Sequence, residues 1–447
     1  MSRNRRLHRR PLLRQLLTQP LPKQQRHNRR NRKYEFFSIN FLSGYFKSIY
    51  SLSFDSLSFD SFQTVLADMN SSMNTKAASP VIVSPFGSSK SLILLSRLLL
   101  PPSQRGTPVL STAAELGIAE ISREEFDEMV ALASSHHVVM RGLKVFLQVM
   151  FQAKDEIRTE WAAIALAAEH ARIENAMTFL TAVCVEFEAK GLNVAVIKSL
   201  DHWPDLGSDL DLYTNAPSAD VLRLMKQRFD AEVSSRSWGD RLARKWNFVI
   251  PGLPESVEIH MGRLGQTGEQ VAIASSLAAR SRLAPFGTHS FRVPVAADRL
   301  MISSLQRMYR HFYFRLCDIV DTATLAATGA IDYEDLRFAA KSAGIWKGVS
   351  TYLAIVSDYV KCYRDQGLDL PAFVTIAARF GGSEIHFNRG FLRIPIMPQS
   401  AKLYGSQLTT LLLNRELRNS VRLSLLPCLA TAAAVGQKIT GSDKGIW

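Results

Sequence analysis

The strongest structural signal in the chain is a short apolar segment, residues 208–213, in which two aspartates stand two positions apart. On a β-strand, residues i and i+2 point to the same face, so Asp209 and Asp211 should project together while Leu210 and Leu212 face the core. Two carboxylates at this spacing repel each other unless a positive charge lies between them. A pair of Mg²⁺ ions would supply that charge, as in two-metal phosphoryl-transfer sites, whereas Asp-x-Asp alone is commonly a solvated strand end.

A second alternating segment, residues 256–261, places Glu258 and His260 on one face and apolar residues on the other. Residues 245–250 before it also have the composition of a strand and lead into a Pro-Gly turn. The two segments predict a hairpin that delivers Glu258 near the aspartates. Glu258 could then bind a metal ion and orient or deprotonate an attacking hydroxyl, or it could be an exposed strand residue.

Much of the remaining chain has a helical pattern. Ser122 and Glu125 have the spacing of a capping box at the start of a predicted helix. The predicted helices cover residues 124–151, 154–189, 217–229, 267–283, 298–327 and parts of 333–379 and 400–436, while 380–398 reads as a Gly-rich aromatic loop. These patterns predict an α+β fold, with a small mixed β-sheet flanked by helices and with N- and C-terminal helical regions.

The composition divides the chain into four predicted parts: a basic low-complexity segment (1–78), an N-terminal helical region (79–190), a sheet core (191–295) and a C-terminal helical region (296–447). Residues 1–70 hold 13 Lys/Arg and 4 Asp/Glu, so of the total net charge of +14 the rest of the chain carries only +5. The basic segment could bind phosphate backbones. We interpret it instead as disordered, or as sequence upstream of a true start at Met69 or Met73, and nucleic acid is therefore not an expected partner.

The four cysteines are scattered without Cys-x-x-Cys spacing. This pattern predicts neither a zinc cluster nor a disulfide framework, and it fits a reducing cytoplasm. Each apolar run is too short to span a bilayer. We therefore expect a cytoplasmic protein with no membrane span.

The central motifs resemble the nucleotidyltransferase superfamily typified by DNA polymerase β. That superfamily has a Gly/Ser turn, a short spacer, an Asp-h-Asp strand and a third acid on a later strand, where h is an apolar residue. Ser199 stands in the Gly/Ser position, residues 200–208 form the spacer, and Asp209, Asp211 and Glu258 follow in order. The resemblance implies that these three acids are the catalytic, metal-binding residues.

A narrower resemblance is to a poorly characterised bacterial branch of the superfamily, and it spans roughly residues 125 to 330. Members of that branch carry a Leu-Lys-Gly turn, a Ser-Asp-h-Asp-Leu strand and a late h-Asp/Glu-h-His strand. They also have a helix with His, Arg and Asp spaced as in His311, Arg315 and Asp321 of this chain. The resemblance to this branch also leaves open that the chain is an inactive member.

The resemblance implies a Mg²⁺- or Mn²⁺-dependent enzyme that moves an NMP from an NTP to a hydroxyl on a small molecule or protein and releases pyrophosphate. We assign nucleotide binding to Lys198, Ser199 and Ser208 near the turn, and to Arg307 and His311, which share one face of the predicted helix 298–327 with Arg310. Lys198 departs from the pattern, because a Gly there lets backbone amides approach a phosphate. Lys198 could offer its ammonium to the triphosphate or point away.

Two other functions fit parts of the pattern. A catalytically degenerate nucleotide-binding or interaction protein of the same fold would explain Lys198 in the Gly position. A metal-dependent glycosyltransferase also uses Asp-x-Asp to hold a nucleotide-sugar. We rank the glycosyltransferase last, because no doubly wound nucleotide-binding pattern precedes the acids.

Overall fold

The computed structural model describes residues 89–101, 103–104, 107–108 and 113–429. The predicted basic segment 1–78 and the end of the last predicted helix, residues 430–436, lie outside the described residues. Within them, none of the helices has both the length and the apolar character needed to cross a membrane.

Helices make up most of the described chain, as the sequence pattern indicates. They are α1 Lys90–Leu99, α2 Ala113–Leu116, α3 Arg123–Ser135, α4 Val139–Gln152, α5 Glu156–Ala189, α6 Ser218–Phe229, α7 Trp238–Ala243, α8 Val271–Arg280, α9 Ala296–Gln306, α10 Leu316–Ala327, α11 Tyr333–Ser342, α12 Trp346–Arg364, α13 Ala372–Ala377, α14 Ala401–Leu413 and α15 Leu417–Ser424.

In the part of the chain that the structure describes, the strands form four small sheets. They are β1 Ser103–Gln104, β2 Thr107–Pro108, β3 Ala195–Val196, β4 Asp209–Thr214, β5 Glu232–Val233, β6 Lys245–Val249, β7 Ser256–Met261, β8 Arg282–Phe286, β9 His289–Val293, β10 Tyr313–Phe314, β11 His386–Asn388 and β12 Phe391–Arg393. The largest sheet has five strands in the order β3-β4-β7-β6-β5. In that sheet β4 and β7 run parallel and the other pairs antiparallel, so the predicted mixed sheet and the α+β class are confirmed.

Two hydrophobic clusters form the core. One packs α1, α3 and α4 against α9, α10 and α12, and the other packs the five-stranded sheet against α5 and α6. Helix α5 has 34 residues, or about 51 Å at 1.5 Å per residue, and it contributes to both. Ala162 near its start lies in the helical cluster, whereas Met177 and Phe187 lie against the sheet. Helix α5 therefore ties the sheet to the helical part of the molecule.

The start of the helix predicted over 124–151 is confirmed, but its continuity is wrong. Ser122 and Glu125 form the predicted capping box, with Glu125 N donating to Ser122 Oγ at 3.2 Å. The helix then breaks between Ser135 and Val139, where His137 has a positive φ of 54°. Tertiary hydrogen bonds hold this break, because the His136 ring contacts the backbone amide of Leu316 on one side and Gly390 O on the other.

The long helix predicted over 298–327 is also wrong in its middle. Helix α9 ends at Gln306, a wide π-helical turn covers Arg307–His311, and Phe312 takes a positive φ of 56°. The next residues form β10, which pairs antiparallel with β12 from the segment predicted as a loop. This pairing and the burial of aromatic Phe314 outweigh the helical periodicity of the segment.

Candidate active site

Strand β4 carries the acidic pair in the predicted orientation. Leu210 and Leu212 are fully buried, while Asp211 is half-buried and Asp209 is exposed on the opposite face of the strand. Strand β7 runs parallel beside β4, and its register pairs Asp211 with Glu258. The hairpin of β6 and β7 therefore delivers Glu258 to the acidic strand, as predicted.

The ammonium of Lys198 lies between these two carboxylates. Lys198 Nζ donates a short hydrogen bond to Asp211 Oδ1 and lies 3.4 Å from Glu258 Oε1. The Lys198 side chain is only 11% exposed, so the contact is largely shielded from solvent. A cation is thus shared by the two acids, and the lysine supplies it.

Lys198 reaches this position from a strained backbone. Its φ of 60° and ψ of −58°, together with a 2.6 Å hydrogen bond from Ser199 N to Ile197 O, define a γ-turn of the rare, positive-φ kind. The nucleotidyltransferase superfamily, which the motifs resemble, usually has a glycine at this position. Glycine adopts positive φ at little steric cost. Strained residues of this kind persist when the surrounding structure holds them, and they cluster at functional sites.

Two residues that the sequence analysis did not assign to the site complete it. His260 Nε2 lies 2.8 Å from Glu258 Oε1, and Lys245 Nζ lies 3.1 Å from Glu258 Oε2. The i, i+2 spacing of Glu258 and His260 placed the histidine on the correct face, whereas Lys245 enters through the cross-strand pairing of β6 with β7. We call Lys198, Asp211, Lys245, Glu258 and His260 the charged cluster.

The electrostatics of the charged cluster favour an ionised Glu258 and a charged Lys198. Burial alone would raise the pKa of Glu258, but Lys245 and Lys198 hold it well below its ordinary value. Burial likewise disfavours the Lys198 ammonium, but Asp211 and Glu258 raise the pKa of Lys198. Both signs of charge are therefore present near neutral pH, within a few ångströms of each other.

Asp209 stands apart from this group. Partial burial, and then repulsion from Asp211 and Glu258, raises the pKa of Asp209. Its carboxylate accepts a hydrogen bond from Ser256 Oγ at 2.8 Å and lies 3.5 Å from Ser208 Oγ. The set whose ligand atoms converge within 4.8 Å is instead Asp211, Glu258 and His260. The structure thus brings together two of the three predicted carboxylates and adds a histidine.

Ser199 contacts the strand rather than open space. Its buried hydroxyl accepts a hydrogen bond from Asp211 N at 2.7 Å and donates one to Asp209 O at 3.1 Å. These two bonds hold the γ-turn against β4, and they occupy the hydroxyl that we expected to contact a phosphate. Ser199 is therefore placed to position Lys198 and the acidic strand.

The predicted basic face of α9 is rearranged by the π-helical turn. Arg307 is 2% exposed, and its guanidinium pairs with Asp318 of α10 at 2.7 Å instead of facing the acids. His311 is near Lys198, but burial and then the neighbouring arginines lower its pKa well below the ordinary value. The cation that reaches the site from this turn is Arg310, which the sequence analysis did not assign.

An open cleft lies beside the charged cluster and shares Lys198 and His260 with it. Its lining includes Lys198, His260, Glu269, Tyr309 and Arg310. Two cations of the chain, Lys198 and Arg310, therefore border the space in which a ligand would lie.

The donor set of the charged cluster fits a hard divalent cation. Carboxylate oxygens are the ligands that Mg²⁺ and Mn²⁺ prefer, and Asp211 and Glu258 already converge on one positive charge. Asp209 lies two residues from Asp211 on β4, but its oxygens are not among the ligand atoms that converge with those of Asp211 and Glu258. The ammonium of Lys198 marks the place where a cation balances these acids.

The sequence matches no known family model and no curated protein. The resemblance to nucleotidyltransferases therefore rests on the motifs, and the function has to be argued from the geometry of the site.

Proposed function

We propose that the chain is a Mg²⁺- or Mn²⁺-dependent nucleotidyltransferase that moves an NMP from an NTP to a hydroxyl acceptor. The observation that carries the proposal is the parallel register of β4 and β7, which sets Asp211 beside Glu258 around one shared cation. The apolar positions of both strands are buried beneath them, so the acids stand on a rigid platform next to the cleft.

In this proposal, Asp211 and Glu258 would hold the metal ion, with Asp209 adding a ligand. Bound Mg²⁺ would neutralise charge on the triphosphate and on the entering and leaving oxygens. The low pKa of Glu258 suits a carboxylate that remains ionised and orients an acceptor hydroxyl. The hydroxyl oxygen forms a bond to the α-phosphorus, the bond to pyrophosphate breaks, and the hydroxyl proton passes to solvent.

The cations of the cleft would bind the leaving pyrophosphate. Arg310 lines the cleft together with Lys198, and both can donate to β- and γ-phosphate oxygens. Lys198 would then exchange its carboxylate partners for phosphate when the nucleotide and metal arrive. We expect the acceptor to be a small molecule or a protein rather than nucleic acid.

The test is transfer of label from α-labelled NTPs to pools of small-molecule and protein acceptors, measured together with pyrophosphate release. We expect Mg²⁺-dependent labelling by the wild type. Asp211→Asn and Glu258→Gln should reduce it by at least about 10²-fold, the usual loss when a group that stabilises transition-state charge is removed.

Asp220→Asn is the matched control, because Asp220 lies on α6 with its side chain 44% exposed and pairs only with Arg223 at 3.6 Å. It should retain wild-type labelling, and circular dichroism should confirm that all variants are folded. Labelling that survives both Asp211→Asn and Glu258→Gln would refute the proposal.

A catalytically degenerate nucleotide-binding protein is the second candidate. The specific observation in its favour is that Lys198 and Lys245 already neutralise the carboxylates through buried contacts. Calorimetry with a non-hydrolysable NTP, with and without Mg²⁺, separates the two candidates when combined with the transfer assay. Mg²⁺-dependent binding without pyrophosphate release across the acceptor pools would favour the degenerate protein.

A further inference from the structure

A second group of ligand-type side chains lies apart from the charged cluster. It consists of His137 in the break between α3 and α4, His202 in the 3₁₀ turn that follows Lys198, and Cys317 in the first turn of α10. One ligand atom from each residue lies within 4.8 Å of the other two. We call these three residues the His–Cys cluster. Three distant segments of the chain thus meet at one point.

The spacing of the best-defined pair matches that of ligands on a tetrahedral metal ion. His202 Nε2 lies 3.7 Å from Cys317 Sγ. With Zn–N and Zn–S bonds of about 2.05 and 2.3 Å, a tetrahedral zinc ion separates the two atoms by about 3.6 Å. The His137 and His202 rings meet edge-on with their centres 5.6 Å apart. A ligand nitrogen of His137 lies within 4.8 Å of both atoms, so the three donors lie around one point.

The orientation of His202 is fixed by an acidic residue behind it. Its Nδ1 forms a short hydrogen bond with one carboxylate oxygen of Asp321, and Arg141 binds the other oxygen. Metal-binding histidines usually have such a carboxylate on the nitrogen that does not contact the ion, because it fixes the tautomer and the ring direction. Nε2 of His202 is thereby left facing Cys317.

His137 supplies an unsatisfied nitrogen. Its Nδ1 is buried and has no hydrogen-bond partner among the described residues. The backbone of His137 has the positive φ noted above. A buried polar atom without a partner costs about 1–3 kcal/mol. The ring also packs so closely on Gly207 that a Cβ added there would lie 2.9 Å from His137 Cε1. The chain therefore holds this ring tightly in place while leaving a nitrogen without a partner.

The order Asp321–His202–Cys317 also matches a thiol-nucleophile triad. Cys317, however, has no exposed surface, so a substrate could not reach its sulfur. A buried thiol beside two imidazoles is better suited to hold an ion than to attack a substrate. The sulfur and imidazole donors favour Zn²⁺ over the Mg²⁺ that suits the carboxylates.

We propose that His137, His202 and Cys317 bind one zinc ion, with Asp321 positioning His202. On binding, Cys317 gives up its thiol proton to solvent and coordinates as the thiolate. The three residues leave a fourth position for water or another donor. The ion would join the α3–α4 break, the turn beside Lys198 and α10, and would thus stabilise the part of the fold that carries the charged cluster. This proposal does not depend on the proposed function.

The test is a zinc titration of the full chain, first stripped by a chelator and then measured with excess Mg²⁺ present. We expect close to one zinc per chain by calorimetry and a rise of several degrees in Tm. Cobalt substituted for zinc should give a thiolate-to-metal charge-transfer band, which carboxylate and imidazole ligands alone do not produce. A wild-type chain that binds no zinc, or that gives no thiolate band with cobalt, would overturn the proposal.

Three variants locate the ion. Cys317→Ser and His137→Asn should each lose the stoichiometric zinc and the rise in Tm, and asparagine is chosen at 137 because it tolerates positive φ. Cys362→Ser, which removes an exposed thiol bonded only to Asp358 O, should keep both. If Cys317→Ser fails to fold, the His137→Asn result decides. Unchanged zinc binding in His137→Asn would refute the site.

A fourth variant separates this site from the charged cluster. Glu258→Gln should abolish nucleotide transfer but leave the zinc stoichiometry and the cobalt thiolate band unchanged. Loss of zinc in Glu258→Gln would place the ion at the charged cluster and overturn the present assignment. In the wild-type chain, transfer without zinc binding, or zinc binding without transfer, shows which of the two proposals fails.

Discussion

The charged cluster and the His–Cys cluster have members only four residues apart in the chain, Lys198 and His202, yet they are built differently. The charged cluster uses side chains that adjacent strands bring into register, and its two carboxylates are compensated by lysines. The His–Cys cluster joins two turns and a helix and contains softer donors. Under the two proposals, one small region would hold two cations of different preference, Mg²⁺ on the oxygen ligands of the charged cluster and Zn²⁺ on the nitrogen and sulfur ligands of the His–Cys cluster.

The largest expected effect comes from removing the ammonium group of Lys198 from the charged cluster. Lys198→Met should lower the free energy of unfolding by about 3–5 kcal/mol without divalent ions, because it leaves largely buried carboxylates without their shared partner. Mg²⁺ should restore more of that stability in the variant than it adds to the wild type. Urea unfolding with and without Mg²⁺ measures both quantities.

Lys226→Met is the control for this change, since Lys226 is 64% exposed and pairs with Asp230 on the surface. It should cost less than about 1 kcal/mol and show no added response to Mg²⁺. Lys198→Gly separates charge from strain, because glycine relaxes the γ-turn and should be more stable than Lys198→Met by roughly 1 kcal/mol. Equal losses in Lys198→Met and Lys226→Met would show that the shared ammonium does not stabilise the cluster.

The next effect concerns the packing that holds the His–Cys cluster. Gly207→Ala introduces a Cβ that would lie 2.9 Å from the His137 ring, so the ring must move. We expect a loss of about 1–3 kcal/mol in the free energy of unfolding, as for other overpacked sites. Zinc should also bind more weakly, while the Mg²⁺ response of the charged cluster remains.

Gly405→Ala provides the control, because a Cβ there meets no atom within 4 Å and the residue lies inside α14. It should be neutral or stabilising by up to about 1 kcal/mol, as expected for alanine in a helix. If Gly207→Ala matched this control in both stability and zinc binding, the close packing of His137 would have no functional consequence.

The sequence could predict part of the charged cluster, Asp211 and Glu258, because strand spacing and a hairpin are local features. Strand spacing places Asp209 with Asp211 and Glu258 with His260, and the hairpin follows from the turn between β6 and β7. The partners of these residues were less accessible to prediction. Lys245 depends on strand register, and the contact of Lys198 depends on a γ-turn that a lysine rarely adopts.

The His–Cys cluster was not predictable from spacing, since its three residues lie far apart in the chain and no Cys-x-x-Cys pattern marks them. Arg307 shows the opposite failure, because spacing predicted a grouping of side chains that the structure does not have. Helical periodicity grouped it with Arg310, but the π-helical turn sends its guanidinium to Asp318. Where an element is regular its face can be predicted, and where tertiary contacts break the element the prediction fails.

The two sites should also differ in their dependence on pH. Burial opposes protonation of His202, but Cys317 and Asp321 raise its pKa above the ordinary value, and burial raises the pKa of the Cys317 thiol. Zinc must displace protons from such ligands, so its affinity should rise with pH by up to about tenfold per unit for each proton displaced. The Mg²⁺ response should change little near neutral pH, because Glu258 is already ionised.

Calorimetric titrations with zinc and with Mg²⁺ at pH of about 6 and about 8 test this difference, since zinc has to displace the protons of His202 and Cys317 and the cost of doing so falls as the pH rises. Cys317→Ser should lose the steep pH dependence of zinc binding. Zinc affinity that is the same at both pH values would argue against a thiolate ligand.

The smallest expected effect is a gain in stability. The folded-state pKa of Asp209 is raised, first by partial burial and then by Asp211 and Glu258, so the folded chain holds this proton more tightly than the unfolded chain does. Stability therefore falls as the pH rises from the unfolded pKa through the folded pKa, and at neutral pH the ionised Asp209 opposes folding. Asp209→Asn cannot ionise, and without metal ions it should be more stable than the wild type by less than about 1 kcal/mol, because solvent screens an exposed acid. Urea unfolding near neutral pH, with Asp220→Asn as the unchanged control, measures this gain.

If the Asp209→Asn protein is more stable and also loses Mg²⁺-dependent transfer, the repulsion between the acids on β4 serves the chemistry and not the folding. If the variant is less stable than the wild type, Asp209 is a structural residue of the strand end.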